Sequence, residues 1–174
     1  DHLALLDSLG IDEFVLVGLS IGGMWGVELA RMAPARLKGL VLMDSFVGLE
    51  PQITCERYLG MLAMIEQLGT IPAPIVEQVA PLFFADQPDA DLMSGFKARL
   101  AAWPADKVAA MVAVGRSFVT REDRIEWLEA ISVPALVMTG SQDKARPVLE
   151  GYLMAEVLGC PFREIPAAGH IASL

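Results

Sequence analysis

A serine set in Gly18-Leu19-Ser20-Ile21-Gly22-Gly23 constrains this chain more than any other feature. Phe14-Val15-Leu16-Val17 leads into it and has the aromatic and β-branched content of a buried strand. Met24-Trp25-Gly26-Val27-Glu28-Leu29-Ala30-Arg31-Met32 leaves it and suits a helix. The segment therefore reads as a strand, a sharp turn carrying a serine, and a helix. Such a turn strains the serine backbone and crowds its neighbours, so Gly18, Gly22 and Gly23 are expected to supply room. The helix would aim its N-terminal amides and positive dipole end at the serine oxygen. Ser20 is then a candidate nucleophile, with the Ile21 N–H as the expected first oxyanion donor. A Gly-rich turn with an incidental serine, or a phosphate-binding loop, are the competing readings. The G-K-[ST] ending of a P-loop and the G-x-G-x-x-G dinucleotide pattern are both missing.

A nucleophilic serine needs a base, and the chain has only two histidines. His2 opens a segment in which Leu3, Leu5, Leu6 and Leu9 repeat like one helix face that stops at Gly10, so it reads as an exposed helix-start residue. His170 follows the short strand-like run Phe162–Pro166 and then Ala167-Ala168-Gly169. A histidine on such a loop can swing over the sheet edge towards Ser20, which makes it the candidate general base. The third member should be a carboxylate that fixes the tautomer of the histidine. Asp143 ends the turn after Val133-Pro134-Ala135-Leu136-Val137-Met138, and Asp44 ends Leu40-Val41-Leu42-Met43. Both would lie at the carboxyl edge of a parallel sheet, where open α/β folds place their sites. The order Ser20, Asp143, His170 matches one known architecture and favours Asp143. A turn-capping aspartate is the alternative for either.

Residues 1–48 and 124–174 each read α-β-α-β, an alternation that implies a parallel sheet with helices on both faces. Residues 49–123 carry helical stripes instead. Tyr58, Met61, Leu62, Ile65 and Leu68 form one, closed by Gly69; Leu92, Phe96 and Leu100 form another; Val108, Met111, Val112 and Gly115 form a third. This middle part is expected to be a helical cap over the sheet's carboxyl edge, shaping an apolar pocket. Most of its Met and aromatic residues (Met61, Met64, Phe83, Phe84, Phe96, Met111), and Trp25 on the elbow helix, are expected to be packing residues.

The elbow at 18–23, the segment from Val133-Pro134 through Gly140-Ser141-Gln142-Asp143, and Gly169-His170 resemble the α/β-hydrolase fold superfamily, in its order and over nearly the whole chain. The resemblance implies Ser20 as nucleophile, Asp143 as acid and His170 as base. It implies an α/β fold, here the C-terminal part of a mostly parallel sheet flanked by helices, with an inserted helical cap. Leu9-Gly10-Ile11 before the elbow strand is similar to the branch of small bacterial esterases, enol-lactonases and cofactor-free haloperoxidase-like enzymes. A serine at position 20 argues against the epoxide-hydrolase and haloalkane-dehalogenase branches, which use aspartate there. A complete member would carry roughly another hundred residues before Asp1. Those residues would hold the first strands and the loop with the second oxyanion N–H, often a His-Gly pair. The chain is therefore expected to be an N-terminally incomplete excerpt.

The composition adds exclusions. A net charge of −9 argues against nucleic acid, because phosphate binding needs clustered Lys or Arg. The longest uncharged apolar stretch, Phe14 to Val27, is short for a membrane span and interrupted by glycines. No signal-peptide pattern is visible, and the cytoplasm is the expected compartment. Cys55 and Cys160 have neither metal-type nor disulfide-framework spacing. The expected chemistry is hydrolysis of an ester, lactone or thioester of a small apolar molecule through an acyl-enzyme, with no metal or organic cofactor implied. An acyltransferase or perhydrolase of the same fold, and a non-catalytic fragment, are the alternatives.

Overall fold

In the computed structural model, which describes residues 1–174, a four-stranded parallel sheet carries one layer of helices and a separate helical segment. The chain opens with α1 (His2–Ser8), β1 (Phe14–Leu19), α2 (Ile21–Met32) and β2 (Leu37–Met43). It continues through α3 (Gln52–Leu68), α4 (Ala73–Val79), α5 (Ala90–Ala101) and α6 (Val108–Val119), and closes with β3 (Ala135–Gly140), α7 (Val148–Leu158) and β4 (Phe162–Ile165). The strands lie in the order β1-β2-β3-β4. Leu16 pairs with Leu40, and Leu40 in turn with Ala135, in one parallel register. No helix is long and apolar enough to cross a membrane.

Each strand steps the same way across the sheet. Right-handed crossovers that all step one way put their connections on one face, and α2 and α7 share one core there instead of covering both faces as the alternation predicts. There Met24, Val27 and Ala30 of α2 meet Leu40 and Leu42 of β2, Val137 of β3, and Met154 and Ala155 of α7 in one core. Leu128 joins it from Ile125–Ala130, which forms a 3-10 stretch rather than the expected α-helix. On the other face Val15 and Val17 are exposed, and β1 is an open edge paired only with β2. Trp25, expected in the core, is 41% exposed, because its side of α2 looks away from that core and lies beside His2 of α1.

The helical segment between β2 and β3 has a core of its own. Leu62 and Ile65 of α3, Ile75 and Val76 of α4, and Val108 and Val112 of α6 pack together with Ile71. Helix α3 ends where Gly69 takes φ +66°, the left-handed cap that glycine adopts without strain. Helix α5 starts at Asp89, whose carboxylate accepts from the Asp91 and Leu92 N–H groups at 2.9 Å.

Candidate active site

The turn from β1 into α2 holds Ser20 at φ 52°, ψ −119°, a conformation costly for a residue with a side chain. Three contacts enforce it. The Ser20 N–H donates to Met43 O of the neighbouring strand at 2.8 Å; Ser45 Oγ donates to Ser20 O at 2.7 Å; and the Gly23 N–H donates to the same carbonyl at 3.0 Å. The turn is closed so tightly that a Cβ on Gly18 would lie 2.6 Å from the Gly22 backbone, and one on Gly23 only 2.5 Å from Ser45 Oγ. Gly22, expected to be needed for room, has open space around its Cα: the crowding falls on its own backbone from Gly18. Ile21, the expected oxyanion donor, is the first residue of α2, so its N–H belongs to the unpaired amides of a helix start.

His170 reaches Ser20 from the loop after β4. That loop is docked by its backbone: the Gln142 N–H donates to Ala168 O at 2.9 Å, and the Ile171 N–H to Phe83 O at 3.1 Å. The approach is close enough that a Cβ on Gly140 would collide with Gly169 O, and one on Gly169 with the Phe84 carbonyl carbon. In this position His170 Nε2 is 2.8 Å from Ser20 Oγ, and Nδ1 is 2.9 Å from Asp143 Oδ2. The other oxygen of Asp143 accepts from the Ala145 and Arg146 N–H groups, both at 2.8 Å. A carboxylate accepting from Nδ1–H leaves Nε2 as the acceptor for the serine hydroxyl. The His170 and Asp143 side chains are 4% and 0% exposed, and the Phe83 ring packs against the imidazole in a T-shaped pair with centroids 5.4 Å apart. The three sequence candidates thus form one hydrogen-bonded row at the carboxyl ends of β1, β3 and β4.

Asp44, the rival carboxylate, makes its hydrogen bonds to backbone amides and none to the imidazole. It is fully buried at the end of β2 with φ 46°, and accepts from the Gly140 N–H at 2.8 Å and the Ala172 N–H at 3.4 Å. Burial pushes its carboxyl up to about 6, against the lowering effect of the Gly140 amide, and the charge of Asp143 adds to the rise. No sequence motif marks Ser45 or Phe83; both reach the site only through the fold. A cavity of about 430 Å³ lies beside this region, lined by Phe84, Leu92, Phe96, Leu100, Trp103 and Ile171 among others; neither Ser20 nor His170 lines it. Of the Met and aromatic residues expected mostly to pack, Met61 and Met111 lie against the helical core, Phe84 and Phe96 line that cavity, and Met64 is half exposed.

A family model for the alpha/beta hydrolase fold matches residues 1–174. The chain is 25% identical to 3-oxoadipate enol-lactonase 2 of Acinetobacter baylyi, over 100% of this chain and 63% of that protein. It is 27% identical to homoserine O-acetyltransferase of Thermus thermophilus, over 98% of this chain and 51% of that protein. A thermophilic esterase from Thermogutta terrifontis, solved with malate bound, matches with a TM-score of 0.83 at 27% identity, over 95% of this chain and 61% of that one. The chain therefore spans less than two thirds of the length of each of these relatives.

Proposed function

Because the chain belongs to the α/β-hydrolase fold family, we propose that it is a serine hydrolase that cleaves an ester, lactone or thioester of a small apolar molecule through an acyl-enzyme on Ser20. The observation that carries this reading is the row Asp143–His170–Ser20, with contacts of 2.9 and 2.8 Å at a strained elbow. Ser20 Oγ attacks the carbonyl carbon while Nε2 of His170 takes the hydroxyl proton. Asp143 holds the imidazole in the required tautomer and stabilises it once charged. The Ile21 N–H is the oxyanion donor supplied by this chain, and the dipole of α2 adds to it. His170 then protonates the departing alcohol, enol or thiol, and takes a proton from the water that releases the acid.

Residues 49–123 serve as a helical cap in this reading, with the hydrolase core in 1–48 and 124–174. The ring of Phe83 over His170, and the Asp86 N–H donating to Gln142 Oε1 at 2.8 Å, support that role. A second reading, acyl transfer to an alcohol, draws on the likeness to homoserine O-acetyltransferase. Product analysis with an added alcohol separates the two: an ester product favours transfer, and free acid alone favours hydrolysis.

Intact-mass labelling with a fluorophosphonate tests the core of the proposal. A single adduct is expected on the parent, absent from Ser20→Ala and strongly reduced in His170→Ala. An adduct that persists in Ser20→Ala, or a folded parent that stays unlabelled, overturns the assignment.

A further inference from the structure

Four charged side chains, three of them almost fully buried, join the two places where the chain passes between the sheet and the helical segment. Glu50 stands at the first passage, between β2 and α3, and Arg121 at the second, just after α6. Arg146 lies in the turn after Asp143, and Glu150 in the first turn of α7. Glu50 Oε1 accepts from Arg121 Nη1 at 2.9 Å and from Arg146 Nη2, and Arg146 Nη1 reaches Glu150 Oε2 at 3.5 Å. The side chains of Glu50, Arg121 and Arg146 are 3%, 4% and 8% exposed. Burial pushes the Glu50 carboxyl up, and the two guanidinium groups outweigh it and hold it below its ordinary value.

Such a network is a poor source of net stability, because the desolvation of buried charges offsets most of their attraction. What it supplies is position, and Arg146 shows where. Its guanidinium is held by Glu50 and Glu150, while its backbone N–H donates to Asp143 Oδ1. A displacement of Glu50 would be passed through Arg146 to the carboxylate that meets His170. Arg121 adds to the constraint, since its Nε and Nη2 are buried without partners and its one strong anchor besides the Phe118 carbonyl is Glu50.

We propose that Glu50 is a positioning residue: acting through Arg146, it fixes the turn that carries Asp143, so that both passages of the helical segment are seated when Asp143 meets His170. The effect on rate rests on the serine-hydrolase reading; the effect on the turn does not.

Two readouts on the 174-residue chain test this: amide hydrogen exchange at Ala145 and Arg146, and the rate of Ser20 phosphonylation by a fluorophosphonate. Glu50→Gln keeps the shape and removes the charge, and is expected to speed exchange at those two amides and slow labelling by about tenfold or more each. Val112→Ala, in the helical core, is the control and should leave both within about twofold while the chain is folded. Unchanged exchange in folded Glu50→Gln overturns the proposal, and so does faster exchange with unchanged labelling. Should Glu50→Gln fail to fold, Arg146→Lys carries the same comparison with the same criteria, because it keeps the charge and loses the fork. If the parent is never labelled but Glu50→Gln loosens the turn, the hydrolase reading fails and the positioning of the turn stands.

Discussion

All three non-glycine residues with positive φ (Ser20, Asp44 and Ala167) stand just past the carboxyl ends of strands, whereas the helical segment from Gln52 to Val119 has a single positive φ, at Gly69, where a helix ends. The strand ends also hold the buried polar groups Asp44, Ser45 and His170, while the helical segment is packed with Leu, Ile and Val. One region spends backbone strain and desolvation on placing polar atoms, and the other follows ordinary amphipathic packing. The two should therefore answer differently to the same kind of substitution.

The largest contrast is in turnover. Ser20→Ala is expected to lower ester hydrolysis by about 10⁴–10⁶-fold, while Val112→Ala changes it by about twofold or less in the folded chain. Steady-state kinetics on an activated ester check this, and comparable losses in both would erase the contrast. Glycine gives the next test. Gly18→Ala forces a Cβ to 2.6 Å from backbone and should cost about 3 kcal/mol or more, read as an earlier urea midpoint.

Asp44 sharpens the comparison through pH. Its carboxyl binds a proton more tightly in the folded chain, about 6 against an ordinary 3.8. The associated stabilisation is full below the ordinary value and is lost as pH rises through about 6. Asp44→Asn removes that slope, so its stability relative to the parent should rise across this window by about 2–3 kcal/mol and level off above it. Urea titrations at a series of pH values measure it, and a flat difference would contradict the burial argument. The smallest effect lies in α3, where a Cβ on Gly60 meets nothing within 4 Å: Gly60→Ala should raise stability by about 0.5–1 kcal/mol.

The stripes of the helical segment and the strands of the sheet are legible in the sequence, because a period of 3.6 or a short β-rich run is a local signal. The turn at Ser20 was legible for the same reason, since Gly18 and Gly23 lie within three residues of it. His170 stood out through the scarcity of histidine. What escaped depends on contacts distant in sequence. Ser45 meets Ser20 through strand register, and Glu50 meets Arg146 across 96 positions, with no periodicity to mark either pair. The placement of the helices on one face depends on the direction in which strands are added, which the alternation of elements leaves open. Trp25 escapes for another reason: nothing local in the sequence says which side of α2 the sheet covers, and its side faces away from the core.

The backbone at Ser20 has a consequence for selection. Glycine occupies φ 52° without penalty, so Ser20→Gly should fold more stably than the parent by about 1 kcal/mol while losing the proposed nucleophile. A library of this chain sorted only for soluble yield would drift towards glycine at that position, and its best-behaved members would lack the hydroxyl on which the proposed chemistry depends.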